Sequence, residues 1–102
     1  MRLDKFLKLS RLVKRRSAAQ EMIEIGAVRL LRVAGVGGLG LTNPVARKSS
    51  LEVSEGSEIE IAYTAKVVKV RVLCADEAAL RRGRAAYELL EERSVPPNER
   101  PW

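Results

Sequence analysis

Residues 2–30 read RLDKFLKLSRLVKRRSAAQEMIEIGAVRL, and the order of elements in this stretch decides the fold. Leu3, Phe6 and Leu7 stand at the spacing that places side chains on one helical face, so residues 2–12 are predicted to be a short helix. Arg2, Lys5, Lys8 and Arg11 recur every third residue around its outside. Ser17-Ala18-Ala19-Gln20 has the pattern of a capping box. In that arrangement the Ser17 hydroxyl accepts from the backbone amide of Gln20 while the Gln20 side-chain oxygen reaches back to accept from the backbone amide of Ser17, so a second helix is expected to begin there. Ala19, Met22 and Ile23 form its apolar stripe, Gly26 supplies the left-handed residue that ends it, and Val28 to Val33 reads as a strand.

The same stretch carries the whole net charge. Residues 1–32 hold nine Lys and Arg against Asp4, Glu21 and Glu24, whereas the remaining seventy residues balance ten against ten, so the formal +6 is local. A cationic segment joined to a neutral body defines a face, and such a face selects a polyanion, RNA before others. Lys14, Arg15 and Arg16 lie directly before the expected start of the second helix, where unpaired amides and partial positive charge already favour phosphate.

At 102 residues the chain is expected to be a single domain spanning 1–93 with a disordered tail over 94–102, where Pro96, Pro97 and Pro101 cluster. No apolar run approaches the roughly 20 residues that cross a bilayer, and Asp4, Lys5 and Lys8 interrupt the place where a signal peptide would be apolar. The protein is therefore expected to be cytoplasmic, without a membrane partner. Cys74 is the single cysteine and reads as a small buried hydrophobe at a strand end; there is no histidine. No cofactor, metal site or small-molecule substrate is indicated, and the composition argues against an enzyme.

Farther along, Gly35-Val36-Gly37-Gly38-Leu39-Gly40 formally matches a dinucleotide-binding fingerprint, but Thr42-Asn43-Pro44 starts a turn where that motif needs a helix, so a flexible loop is expected. Ile59, Ile61 and Tyr63, then Val68, Val70 and Val72, alternate with polar residues and are expected to pair as an antiparallel hairpin. Asp76 is expected to cap a final helix reaching about Arg93, with Leu80, Gly83, Tyr87 and Leu90 as its seam. On that helix Arg81, Arg82 and Arg84 could extend the basic surface, but Glu88 lies four residues beyond Arg84, so local pairing is the expectation.

A basic helix, a KRR-S-A-A-Q turn into a second helix, a glycine and then strands together resemble the RNA-binding domain named after small-subunit ribosomal protein four, also called the alpha-L RNA-binding motif. The pieces that carry the resemblance are RLDKFL at 2–7, SRLVKRRSAAQEMIEIGAVRL at 10–30, NPVARKSSLEVSEGSEIEI at 43–61 and YELLEE at 87–92. The match is to the small stand-alone bacterial branch of ribosome-associated quality-control and heat-shock proteins. It implies an α+β fold in which two N-terminal helices pack on a small, mostly antiparallel sheet, with a C-terminal helix added. It also implies an RNA-binding face carrying Arg2, Lys5, Arg11, Arg15, Arg16, Ser17 and Gln20, with Asp4 orienting a neighbouring arginine. Lys8, Lys14, Arg29, Asn43, Arg47 and Lys48 complete the expected set. The implied partners are ribosomal RNA and tRNA on the large ribosomal subunit, where the protein would hold a peptidyl-tRNA on an obstructed subunit; free in solution it is expected to be a monomer. Two departures from the family pattern stand out: an insert over 31–42 with Asn43-Pro44 in place of an Asn-Gly turn, and Ser57 where an aspartate commonly follows the turn glycine.

Three other readings compete. A DNA-binding helix-turn-helix would present its second helix to base edges, yet Glu21 and Glu24 put negative charge there. A ribosome-assembly factor would use the same RNA face. A membrane-surface first helix would expose the apolar side that the core needs, and it lacks tryptophan. With four aromatics in the chain, recognition should rest on RNA shape and backbone more than on stacking. Reversing Arg15 and Arg16 to glutamate is expected to weaken RNA binding and leave the fold intact.

Overall fold

The computed structural model describes residues 1–32 and 48–96. Among them the order is α1 (Leu3–Leu9), α2 (Arg16–Glu24), β1 (Val28–Arg32), β2 (Glu58–Ala62), β3 (Lys66–Val72), α3 (Glu77–Arg81) and β4 (Tyr87–Ser94). The strands form one antiparallel sheet in the order β1-β2-β3-β4. The α+β class, the helical pair and the β2–β3 hairpin agree with the sequence reading. Most of the glycine insert, together with Asn43, Arg47 and residues 97–102, lies outside the described residues.

Alternation sorts each strand into two faces. Val28, Leu30, Ile59, Ile61, Val68, Val70 and Val72 turn inwards and meet Leu3, Phe6, Leu7, Val13, Ala19 and Ile23 from the helices. Phe6, Leu7, Ile23 and Ile61 are completely buried, each stabilising the fold by about 1.5–3 kcal/mol relative to exposure. Cys74 is buried at the end of this core, as expected. On the outer face the cross-strand partners are charged in alternation: Arg29 faces Glu60, Glu60 faces Lys69, and Lys69 faces Glu91, while Arg71 lies between Glu58 and Glu88. Opposite charges directly across a ladder stabilise it, and this face is consequently close to neutral.

The C-terminal helix expected over 76–93 is not formed. Asp76 occupies the N-cap position without a side-chain cap bond, α3 stops at Arg81, and Gly83 at φ 94° turns the chain in a conformation open to glycine. The next residues pair with β3 as β4, so Tyr87 faces Val72 and Leu89 faces Val70 instead of forming a helical seam. Glu88 meets Arg71 at 3.6 Å and Glu92 meets Lys66 at 3.0 Å. Covering the open edge of β3 with matched charges outweighs the local helical preference of residues 84–93. The strand passes the expected start of the tail: Ser94 belongs to it, and the Val95 amide donates to the Ala65 carbonyl at 2.9 Å.

The N-terminus is held against residues 49–53. The Val53 amide donates to the Met1 carbonyl (2.8 Å), and the amides of Leu3 and Asp4 donate to the carbonyls of Leu51 (2.7 Å) and Ser49 (3.3 Å). These bonds satisfy first-turn donors of α1 that a helix leaves unpaired, and they fix where its side chains begin.

Candidate nucleic-acid interface

Asp4 is fully buried, and donors from four residues converge on its carboxylate. The Lys5 amide and Gln20 Nε2 donate at 2.8 Å, Arg16 Nε at 3.1 Å and Arg2 Nε at 3.2 Å. Burial pushes the Asp4 pKa up, but the hydrogen bonds from Gln20, Arg16 and the Lys5 amide, with the charge of Arg16, outweigh it and hold the carboxyl below its ordinary 3.8. The carboxylate therefore joins α1 to α2 and locks two arginines. Their side chains stay 44% and 45% exposed, and a guanidinium has five N–H donors, so each keeps donors facing outwards.

This arrangement corrects the capping-box reading. α2 begins at Arg16, its N-cap is Arg15, and no side chain caps it. Gln20 turns its Nε2 to the charged carboxylate of Asp4 instead of offering its oxygen to the Ser17 amide, and a hydrogen bond to a charged acceptor is the stronger of the two. Ser17 is exposed in the first turn of α2, beside the exposed Lys14 and Arg15.

The turn from α1 to α2 is tightly held. Ser10 Oγ donates to the Leu7 carbonyl (3.1 Å), the Val13 amide donates to the same carbonyl (3.0 Å), and the Tyr63 hydroxyl donates to the Leu12 carbonyl at 2.5 Å. Within it Arg11 has φ 66°, the one non-glycine residue with positive φ among the described residues. Arg11, Lys8 and Lys14 line a groove of ≈ 630 Å³ together with Leu80 and Arg81 of α3. Lys8, Arg11, Lys14, Arg15 and Lys48 are all exposed and make no ion pair among the described residues.

The expected residues do not all gather. Lys5 is tied to Glu77 at 2.5 Å, and Lys5 and then Arg81 hold the Glu77 carboxyl below the usual carboxylate range. Arg29 alternates with core-facing Val28 and Leu30 and lies on the outer sheet face, 3.7 Å from Glu60, so it is separated from the helical cations. Lys48 sits just before the segment that receives the α1 amides. The excess positive charge among the described residues thus lies on the helical side, while the outer sheet face is balanced by its own carboxylates. No group of three or more His, Cys, Asp or Glu able to hold a metal occurs among the described residues, and no helix there is long and apolar enough to cross a membrane.

Comparison with known proteins places this geometry in context. The profile of the S4 domain matches residues 1–30, the stretch that builds α1, α2 and the start of β1. A protein of Streptococcus pneumoniae named RQC P-site tRNA stabilizing factor is 31% identical over 99 residues, spanning 96% of this chain and 99% of its own. A protein of the same name from Halalkalibacterium halodurans is 33% identical over 100 residues, covering 97% of this chain and 100% of its own. A third, from Bacillus subtilis, is 38% identical over 72 residues, 71% of this chain and 70% of its own. Among solved structures, the trimeric Heat Shock Protein 15 of Vibrio cholerae superposes with a TM-score of 0.66 at 23% identity, covering 88% of this chain and 81% of that one, a likeness of fold.

Proposed function

The chain belongs to the family of RQC P-site tRNA stabilizing factors, small proteins with an S4 domain, and from that premise we propose that it binds RNA on the large ribosomal subunit. Its ligands are ribosomal RNA and the peptidyl-tRNA of an obstructed subunit. By bridging them it holds the tRNA in the P site while the stalled chain is extended or rescued. The work is binding and positioning, done in the cytoplasm, and it involves no chemistry on a substrate.

The observation that carries this reading is the segregation of charge. Cations without carboxylate partners among the described residues are exposed around the turn between α1 and α2, and Arg2 and Arg16 are oriented by one buried carboxylate. Locking a long side chain before binding lowers the conformational entropy lost on contact, so the two arginines are preorganised for phosphate. Lys8, Arg11, Lys14, Arg15 and Lys48 add charge, and Ser17 offers a hydroxyl at the uncapped start of α2. Released counterions supply most of the affinity. Six phosphate contacts correspond to a log–log salt slope of about −4 on single-strand values.

The clean test reverses Lys14 and Arg15 and spares Arg16, because a glutamate at 16 would stand against the buried Asp4 carboxylate and threaten the fold. Lys14→Glu with Arg15→Glu is expected to leave the melting temperature unchanged, to weaken binding to a tRNA transcript and to large subunits, and to flatten the salt slope. Undiminished affinity in the folded variant, or stronger binding to duplex DNA than to structured RNA at matched salt, refutes the reading.

A further inference from the structure

The basic surface does not end with the first third of the chain. Because residues 87–94 form β4, Glu88 pairs with Arg71 and not with Arg84. Arg82 and Arg84 therefore stand exposed on the corner between α3 and β4, and neither has an ion pair among the described residues. Arg84 lines a groove with Leu9, Ser10, Arg11 and Leu80. Through Leu9, Arg11 and Leu80 this groove adjoins the one lined by Lys8, Lys14 and Arg81. Neither lining contains an acidic residue.

Two parts of the chain far apart in sequence thus bring cations to one continuous trough: Lys8, Arg11 and Lys14 from the first helical pair, and from the α3–β4 corner Arg84 with Arg81, which Glu77 holds at 2.8 Å. Arg11 sits where its branches meet, and it is held there in a left-handed conformation that costs an L-residue about 1–2 kcal/mol. Such strain persists where the surrounding structure imposes it, and it concentrates at functional positions. The rigid support is visible: the Leu7 carbonyl accepts from Ser10 and Val13, and the Leu12 carbonyl accepts from Tyr63.

We propose that this trough is a second RNA-backbone site, in which Lys8, Arg11, Lys14 and Arg84 hold a phosphodiester segment beyond the one met by Arg2 and Arg16 at the Asp4 carboxylate. It rests on the reading of the chain as RNA-binding, and it adds to that reading a contact made by the C-terminal half. A row of cations along an open trough suits a repeating polyanion better than a single enclosed phosphate, since no polar cage closes round one anion. The Asp4 cluster lies at the first turn of α1 and the trough begins at its last. The helix rises about 1.5 Å per residue, so Asp4 and Lys8 stand about 6 Å apart along its axis, and the trough runs away from the Asp4 cluster from there.

Arg84→Gln is the decisive variant, because Arg84 is exposed, makes no ion pair among the described residues and follows a glycine turn that the substitution leaves in place. Lys69→Gln on the outer sheet face is the control of equal charge, and Arg15→Glu, at a position that lines neither groove, reports on the primary face. Binding of each folded variant to a labelled tRNA transcript and to large subunits is measured across a potassium chloride series. One lost phosphate contact makes the log–log slope shallower by about 0.8. That change is expected for Arg84→Gln and not for Lys69→Gln. If Arg84→Gln behaves like Lys69→Gln while Arg15→Glu weakens binding, the trough is not a contact and the primary reading stands. If neither Arg15→Glu nor Arg84→Gln alters binding, both fall.

Discussion

Asp4→Asn separates orientation from charge. The substitution raises the net charge by one, so a protein that binds RNA by charge alone would bind it more tightly. The geometry requires the opposite. Asparagine keeps one acceptor oxygen and turns the other into a donor, whereas the native carboxylate accepts from the Lys5 amide, Gln20, Arg16 and Arg2 at 2.8–3.2 Å. Buried hydrogen bonds to a charged acceptor contribute about 1.5–3 kcal/mol each. The two arginine pairs, nearly half exposed, are screened to at most about 1 kcal/mol each. Against them stands the desolvation of the carboxylate, which asparagine relieves. The expected net loss is about 2–3 kcal/mol, a fall in melting temperature on the order of 10–20 °C for a domain of this size. Because the folded-state pKa of Asp4 is depressed below 3.8, this stabilisation is present above that value and is lost as pH falls through the folded pKa. The gap between native and variant melting curves, followed by circular dichroism, therefore narrows below about pH 4. At neutral pH the folded variant binds tRNA and large subunits more weakly, through arginines that are no longer locked. Tighter binding by Asp4→Asn, or a stability gap of equal size at neutral and acid pH, refutes the argument.

Two further substitutions probe the turns that shape the surface. Arg11→Gly relieves the left-handed strain at φ 66° and is expected to raise the melting temperature by about 4 °C while weakening RNA binding, so stability and affinity move in opposite directions. A loss of both in denaturation and binding assays would show that the strain is not confined to residue 11. Gly83→Ala meets no atom within 4 Å but must adopt φ 94°, so the cost is backbone strain alone, about 1–2 kcal/mol in chemical denaturation. An unchanged denaturation midpoint would mean that the α3–β4 corner relaxes freely.

The first helical pair and the hairpin were legible because their evidence is local. Leu3, Phe6 and Leu7 share a helical face, Gly26 takes φ 79° at the end of α2, and alternation in 59–63 and 68–72 has the period of a strand. Residues 84–93 misled because leucines and glutamates favour helix when read alone. The signal that would have corrected them lies in another segment: Glu88 and Glu91 stand across from Arg71 and Lys69 of β3, and Glu92 reaches Lys66 as an ion pair. The capping box failed for a related reason. Ser17 and Gln20 satisfy its spacing, but a carboxylate sixteen residues from Gln20 takes the bond.

The amino-acid order by itself determined that cations crowd the opening segment, that two short helices precede a glycine and strands, and that the core is built from alternating aliphatic residues, because periodicity and composition are properties of neighbours along the chain. Only tertiary structure decided which cations are free. Asp4, Glu77, Glu60 and Glu88 each neutralise or orient a base brought close by folding, so the accessible positive face is what remains when pairing across the fold is complete. Charge acts through space, and a sequence records only its order along the backbone.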